Sequence, residues 1–142
     1  RKAFARPSPR CEEGYYLVEQ GIASALIDLS DGLAGDSAHL AAASGVQIVL
    51  EEAQVPVAPI AVEVLGPEEA LQVALHGGED YELCFAAGPD AVDPSYFQDH
   101  FGLEITRVGH VCEGSGVWID QGWSDPEPLM RSGFDHYAVD VL

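Results

Sequence analysis

The segment 25–33, ALIDLSDGL, most constrains what this chain can fold into. It begins as an apolar, strand-like run and passes through the turn sequence Ser-Asp-Gly. An amphipathic helical pattern starts at Leu33 and ends before Gly45. Asp28 and Asp31 therefore fall where a strand ends and a helix begins, with the hydroxyl of Ser30 between them.

This placement suits a phosphate site that contains a metal ion. The first N–H groups of a helix have no partner within the helix and attract phosphate. Two carboxylates about 5 Å apart repel each other by roughly 3 kcal/mol at an effective dielectric near 20. Magnesium would relieve that repulsion, because it binds carboxylate and phosphate oxygens. The alternative is structural: Ser30 or Asp31 caps the helix, and Asp28 is a surface turn residue.

A second informative segment is 75–87, LHGGEDYELCFAA. Gly77 and Gly78 permit unusual backbone angles or the close approach of a ligand. Alternating side chains predict a strand over 81–85, so Glu79 and Asp80 would lie at its entrance. The segment is either part of a binding site or a glycine turn that only reverses the chain.

The rest of the chain alternates irregularly between helical and strand-like patterns. Helices are predicted over 9–20, 33–44, 67–75 and 94–100, and strands over 23–29, 46–50, 81–85, 104–111 and 117–120. Pro56 and Pro59 predict a loop, and the last two strands are predicted to form a hairpin through 113–116. These patterns predict an α+β fold, with a mixed or antiparallel sheet and helices packed on it.

The composition excludes several classes of protein. With 24 acidic and 6 basic residues, the net charge is −18, which argues against binding nucleic acid through its phosphates. The acidity is compatible with cation binding, or with solubility or a salt-adapted source. No apolar run approaches the ~20 residues of a membrane span. Three cysteines without metal-ligand spacing indicate reduced thiols in a cytoplasmic protein.

The two long motifs in this order, ALIDLSDGL and then HGGEDYEL, resemble those of the thiamine-monophosphate kinase family. This family belongs to the aminoimidazole-ribonucleotide-synthetase-like superfamily, whose C-terminal domain fold the resemblance implies. The string PSPRCEEG resembles the family's inter-domain segment, and GFDHY resembles its C-terminal aromatic signature. The resemblance implies that residues 1–10 are a linker remnant and residues 11–142 a C-terminal domain, without the N-terminal domain that binds ATP and metal.

The resemblance also implies an activity and a set of site residues. Enzymes of this family transfer the γ-phosphoryl group of ATP to thiamine monophosphate, which gives thiamine diphosphate, with the help of Mg²⁺. Asp28 and Asp31 match magnesium ligands, and Ser30 matches an ATP contact. Glu79 matches a substrate contact, and Phe134 matches the aromatic position that packs against the thiamine. Phosphoryl transfer depends mainly on positioning and charge neutralisation, so no conventional catalytic nucleophile is expected.

The expected partners are ATP, thiamine monophosphate and the N-terminal domain, in a cytoplasmic homodimer that binds neither nucleic acid nor membrane. The chain alone is expected to be inactive, because the N-terminal domain supplies further metal-binding aspartates and most ATP contacts. Two alternatives stay open. One is a related ATP-using synthetase or maturation protein with another acceptor, and the other is a non-catalytic acidic binding module of the same fold.

Overall fold

A computed structural model of the chain describes residues 7–129. Within this range five α-helices and six β-strands are formed. The helices are α1 (Cys11–Glu19), α2 (Leu33–Ser44), α3 (Pro59–Leu65), α4 (Pro67–His76) and α5 (Pro94–Phe101). The strands are β1 (Ala23–Asp28), β2 (Gln47–Glu51), β3 (Leu83–Ala87), β4 (Gly109–Cys112), β5 (Gly116–Asp120) and β6 (Glu127–Pro128). A 3₁₀ turn over Glu52–Gln54 follows β2.

The strands form two sheets. The larger sheet has the order β4-β2-β5-β6, in which β2 is antiparallel to β4 and parallel to β5. The smaller sheet pairs β1 with β3 in antiparallel fashion, so Asp28 lies opposite Leu83. The fold is therefore α+β with a mixed sheet, as predicted.

The core lies between the larger sheet and helix α2. Strand β2 is central, and Ile48, Val49 and Leu50 are all buried, as expected for a strand covered on both faces. The inward stripe of α2 includes Leu33 and Ala41, which belong to the same apolar cluster as Ile48 and Leu50. This helix begins and ends where the sequence predicts, because Gly45 adopts the left-handed conformation (φ 66°) that terminates it.

The predicted hairpin is wrong. Strands β4 and β5 do not pair with each other, because β2 lies between them and bonds to both. Ile48 faces Val111 on one side and Val117 on the other. Side-chain alternation indicates that a segment is extended, but it does not say which strand will be its neighbour. The strand predicted over 104–111 begins only at Gly109.

Two other boundaries differ from the predictions. The proline-containing segment predicted as a loop contains helix α3, and Pro59 lies in its first turn, where a missing N–H costs nothing. The strand predicted over 81–85 starts at Leu83, because Tyr81 has a φ of 54° that is incompatible with a strand.

Among residues 7–129, none of the helices has the length and apolar character needed to span a bilayer.

Candidate functional site

The acidic turn, residues 28–32, lies at the junction of the smaller sheet with α2. Strand β1 ends at Asp28, one residue before the predicted end, whereas α2 begins at Leu33, as predicted. The side chains of Asp28 and Asp31 are exposed. The residue that caps α2 is Gly32, at φ 97°, and no side chain caps this helix. The alternative in which Ser30 or Asp31 serves as the helix cap is therefore wrong.

A buried carboxylate holds this turn in place. Asp36 is 2% exposed, and its Oδ2 accepts hydrogen bonds from the backbone N–H groups of Ser30 (2.8 Å) and Asp31 (2.9 Å). Hydrogen bonds to an ionised acceptor are stronger than neutral ones. Asp36 is not among the predicted site residues, although the sequence contains a signal for it: a carboxylate beside Ser37 on the inward face of an apolar helix is unfavourable unless it has polar partners.

The glycine-rich segment meets the acidic turn through the backbone. The N–H of Glu79 donates to the carbonyl oxygen of Ser30 (2.9 Å), and the N–H of Tyr81 donates to that of Leu29 (2.8 Å). The N–H of Leu29 donates in turn to the carbonyl oxygen of Glu82 (2.8 Å). These bonds continue the β1–β3 pairing past the strand ends. The structure therefore brings the predicted substrate residue, Glu79, beside the predicted ATP residue, Ser30.

The glycines allow this close contact. A Cβ added to Gly78 would clash with the carbonyl oxygen of Ser30, and a Cβ added to Gly32 would lie 2.9 Å from that of Gly77. Gly77 and Gly78 thus allow the acidic turn of the same chain to pack closely against them. Glu79 has a φ of 70°, a conformation that costs a non-glycine residue of order 1–3 kcal/mol and is concentrated at functional sites.

The surroundings of the site are acidic. Asp80 has a pKa raised by burial and, to a lesser extent, by the charge of Glu82. The carboxylate of Glu82 forms a bidentate ion pair with the guanidinium of Arg10, at 2.7 and 2.8 Å. This pair connects the start of α1 to the start of β3. The Nε2 atom of His39 lies 4.0 Å from Oδ2 of Asp31.

Asp28 and Asp31 are the carboxylates available for a metal ion at the turn. Across residues 7–129, no three or more His, Cys, Asp or Glu side chains are grouped so that they could enclose a metal by themselves. Magnesium does not require such a cage, because it is commonly held by one or two carboxylates together with phosphate oxygens and water. The donor atoms of the turn therefore fit a magnesium–phosphate group.

Comparison with known proteins identifies relatives of this chain. No family model matches the chain. The thiamine-monophosphate kinase of Escherichia coli K12 is 37% identical over 143 residues, which cover 97% of this chain and 42% of the relative. The chain is homologous to thiamine-monophosphate kinases over almost its whole length. It spans about two-fifths of the length of these curated relatives.

Solved structures of these kinases share the fold. The thiamine-monophosphate kinase of Stenotrophomonas maltophilia superimposes with a TM-score of 0.75 at 40% identity, covering 81% of this chain and 36% of that one. A ThiL protein complexed with AMPPCP and TMP gives a TM-score of 0.77 at 31% identity, covering 96% of this chain and 40% of that one. The predicted relationship to thiamine-monophosphate kinases and the predicted fold class are confirmed.

Four of the five predicted site residues lie within residues 7–129. The structure places Ser30 and Glu79 in backbone contact and puts Asp28 and Asp31 on the same turn, but the roles of these four residues remain predictions. Phe134 lies outside the described residues, and its role also remains a prediction.

Proposed function

We propose that residues 11–142 form the C-terminal domain of a kinase that transfers the γ-phosphoryl group of ATP to thiamine monophosphate, and that residues 1–10 belong to an inter-domain linker. The homology to thiamine-monophosphate kinases supports the reaction class. The relatives are more than twice as long as this chain, which leaves room for the N-terminal domain that the proposal requires.

The observation that carries the proposal is the backbone junction between the acidic turn and the glycine-rich segment. The hydrogen bond from Glu79 to Ser30 puts a candidate acceptor-binding side chain next to a candidate nucleotide-binding loop. A phosphoryl group can pass directly between two substrates only if both are held close together and in line. A junction of this kind provides that proximity without a covalent intermediate.

Each side chain of the site has a role that suits its chemistry. Asp28 and Asp31 would hold Mg²⁺, which when bound neutralises negative charge on the phosphates. Ser30 would contact ATP through its hydroxyl. Its backbone bonds would also hold the turn in position for that contact. The carboxylate of Glu79 would attract the cationic thiazolium ring of thiamine.

Other parts of the proposal concern the whole protein. Phe134 would pack its ring against the thiamine, since aromatic faces attract flat cations. The N-terminal domain would supply further metal-binding aspartates and most ATP contacts, so we expect negligible turnover from the 142 residues alone. We further propose that the full-length kinase is a cytoplasmic homodimer.

The test uses the full-length protein that contains this chain, assayed with Mg-ATP and thiamine monophosphate. We expect Asp28→Asn and Asp31→Asn each to lower kcat/KM at least tenfold, about 1.4 kcal/mol, because each removes one negative charge from the proposed metal site. Asp93→Asn is the matched control: Asp93 caps α5 and asparagine is an equally good cap, so its activity should be unchanged.

The acceptor is tested in the same assay by replacing thiamine monophosphate with other phosphate-bearing or carboxylate-bearing acceptors. Phosphorylation of another acceptor in preference to thiamine monophosphate would contradict the proposed substrate. Wild-type activity in both the Asp28→Asn and the Asp31→Asn proteins would contradict the proposed metal site.

A further inference from the structure

The carboxylate of Asp36 is the most deeply buried charged group among the described residues, and it lies directly beneath the acidic turn. It is 2% exposed, and a single oxygen, Oδ2, accepts both the Ser30 and the Asp31 N–H groups at 2.8 and 2.9 Å. The two carboxylates proposed to bind metal are exposed by comparison. Asp36 therefore faces the inside of the turn, while Asp28 and Asp31 face solvent.

A buried charge is costly unless polar groups compensate for it. Asp36 is compensated by the two N–H groups and by its position in the first turn of α2, where the helix dipole favours negative charge. Its own N–H donates to the carbonyl oxygen of Gly32 (2.9 Å), which is the first i→i−4 bond of α2 and would form with any residue other than proline at this position. The carboxylate of Asp36 thus holds the backbone of the turn at two successive residues, 30 and 31. An apolar residue would fit an inward helix face better, so the carboxylate is best explained by what it holds.

The contacts of Asp36 extend to the glycine-rich segment. Ser30 is bonded to Asp36 through its N–H and to Glu79 through its carbonyl oxygen. A shift of Ser30 would therefore also shift Glu79. Gly78 adds a steric limit, since a Cβ at this position would clash with the same carbonyl oxygen.

We propose that Asp36 is a positioning residue: it fixes the backbone of the acidic turn and, through Ser30, the position of Glu79. The effect on catalysis rests on the proposed kinase function, whereas the effect on the backbone does not. Asp36 is 2% exposed, so it would act through the groups that contact the substrates and would not contact a substrate itself. It sets the relative positions of the groups that would do so, and misplacement by about 1 Å can cost on the order of 10²-fold in rate.

The experiment compares Asp36→Ala and Asp36→Asn with the unsubstituted full-length protein. Hydrogen–deuterium exchange followed by mass spectrometry is measured on peptides that cover 29–32 and 77–82. Asp36→Ala removes the acceptor, and we expect exchange in both peptides to rise at least about tenfold, with kcat falling by about tenfold to 10²-fold. Asp36→Asn keeps an acceptor oxygen but loses the charge, so we expect a smaller rise of about threefold and a partial recovery of kcat.

Asp93→Ala is the matched control. The Oδ1 atom of Asp93 also accepts two backbone N–H bonds, from Ser95 (2.9 Å) and Tyr96 (3.3 Å), but at the start of α5. Its loss should raise exchange at the start of α5 and leave the two site peptides and kcat unchanged. A residue that only stabilises the fold would instead speed exchange throughout the protein, with no excess in the site peptides.

The outcomes separate the two proposals. Unchanged exchange in peptide 29–32 of the folded Asp36→Asn protein would overturn the positioning role, even if Asp36→Ala fails to fold. A rise in exchange that is equal throughout the protein would also overturn the positioning role. Absence of kinase activity in the unsubstituted protein would contradict the proposed function instead, and the exchange comparison would still decide whether Asp36 holds the turn.

Discussion

The two sheets of this molecule are built in different ways. In the larger sheet, three consecutive residues of β2 are buried, with exposed fractions of 7% for Ile48, 2% for Val49 and 1% for Leu50. In the smaller sheet no residue of β1 or β3 is fully buried. The proposed site stands on the smaller sheet.

This difference indicates that folding stability and the geometry of the proposed site depend on different parts of the molecule. The larger sheet is held by apolar burial, which is strong but tolerant of small changes in shape. The turn at the end of β1 is held by directed polar contacts, above all those of Asp36, and by the close packing of Gly78 on Ser30. Directed contacts contribute less to folding than a core does, but they fix positions more narrowly.

The largest effect should come from the core. Leu50→Ala should lower the free energy of unfolding by about 2–5 kcal/mol, because a fully buried leucine leaves a cavity. Leu26→Ala on β1 should cost less than about half of that, since Leu26 is only partly buried. Chemical denaturation of both variants measures the difference. Equal losses would show that the smaller sheet contributes as much apolar burial as the larger one.

A second variant addresses the packing of the site. Gly78→Ala puts a methyl group against the carbonyl oxygen of Ser30, so the turn or the glycine segment must move. We expect kcat/KM of the full-length protein in the proposed kinase reaction to fall at least about tenfold, with a stability loss smaller than that of Leu50→Ala. Gly88→Ala is the control, because the nearest atom to its added Cβ lies 3.8 Å away. Equal activity in the two proteins would disprove the steric argument.

The smallest effect concerns His76, which joins the core helix α4 to the glycines. Its Nδ1 is buried and has no hydrogen-bond partner among residues 7–129, and burial lowers the pKa of the imidazole below 6.5. The unfolded chain therefore takes up a proton at a higher pH than the folded one. Stability should fall as the pH drops below about 6.5 towards the lowered pKa of the folded state.

His76→Gln removes this contribution, so its unfolding free energy should fall less than that of the unsubstituted protein between pH 7.5 and pH 5.5. Denaturation curves at the two pH values measure the difference, and the other histidines, which are present in both proteins, cancel from it. An identical pH dependence would show that the imidazole titrates normally.

The sequence predicted the site region better than the pairing of the strands. Helix α2 was predicted residue for residue, because its apolar stripe and Gly45 are local signals. The position of Asp28 and Asp31 between strand and helix follows from the same signals. The hairpin prediction failed because β2 comes from a distant part of the chain, and nothing local in 104–120 records its insertion.

The contacts inside the site were not predictable in the same way. The meeting of Glu79 with Ser30 depends on the pairing of β1 with β3, which joins residues far apart in the chain. The role of Asp36 depends on the turn folding back over the start of α2. Residue types predicted which segments would form the proposed site. Which atoms of those segments are in contact depends on the tertiary structure.

The three bonds that join Leu29 and Ser30 to the segment 79–82 use main-chain atoms alone. Exchanging the side chain at position 79 therefore leaves the spacing between the two loops intact, provided the new residue tolerates a φ of 70°. If Glu79 binds the acceptor as proposed, a change of that one side chain could alter the choice of phosphate acceptor, while Asp28 and Asp31 kept their places.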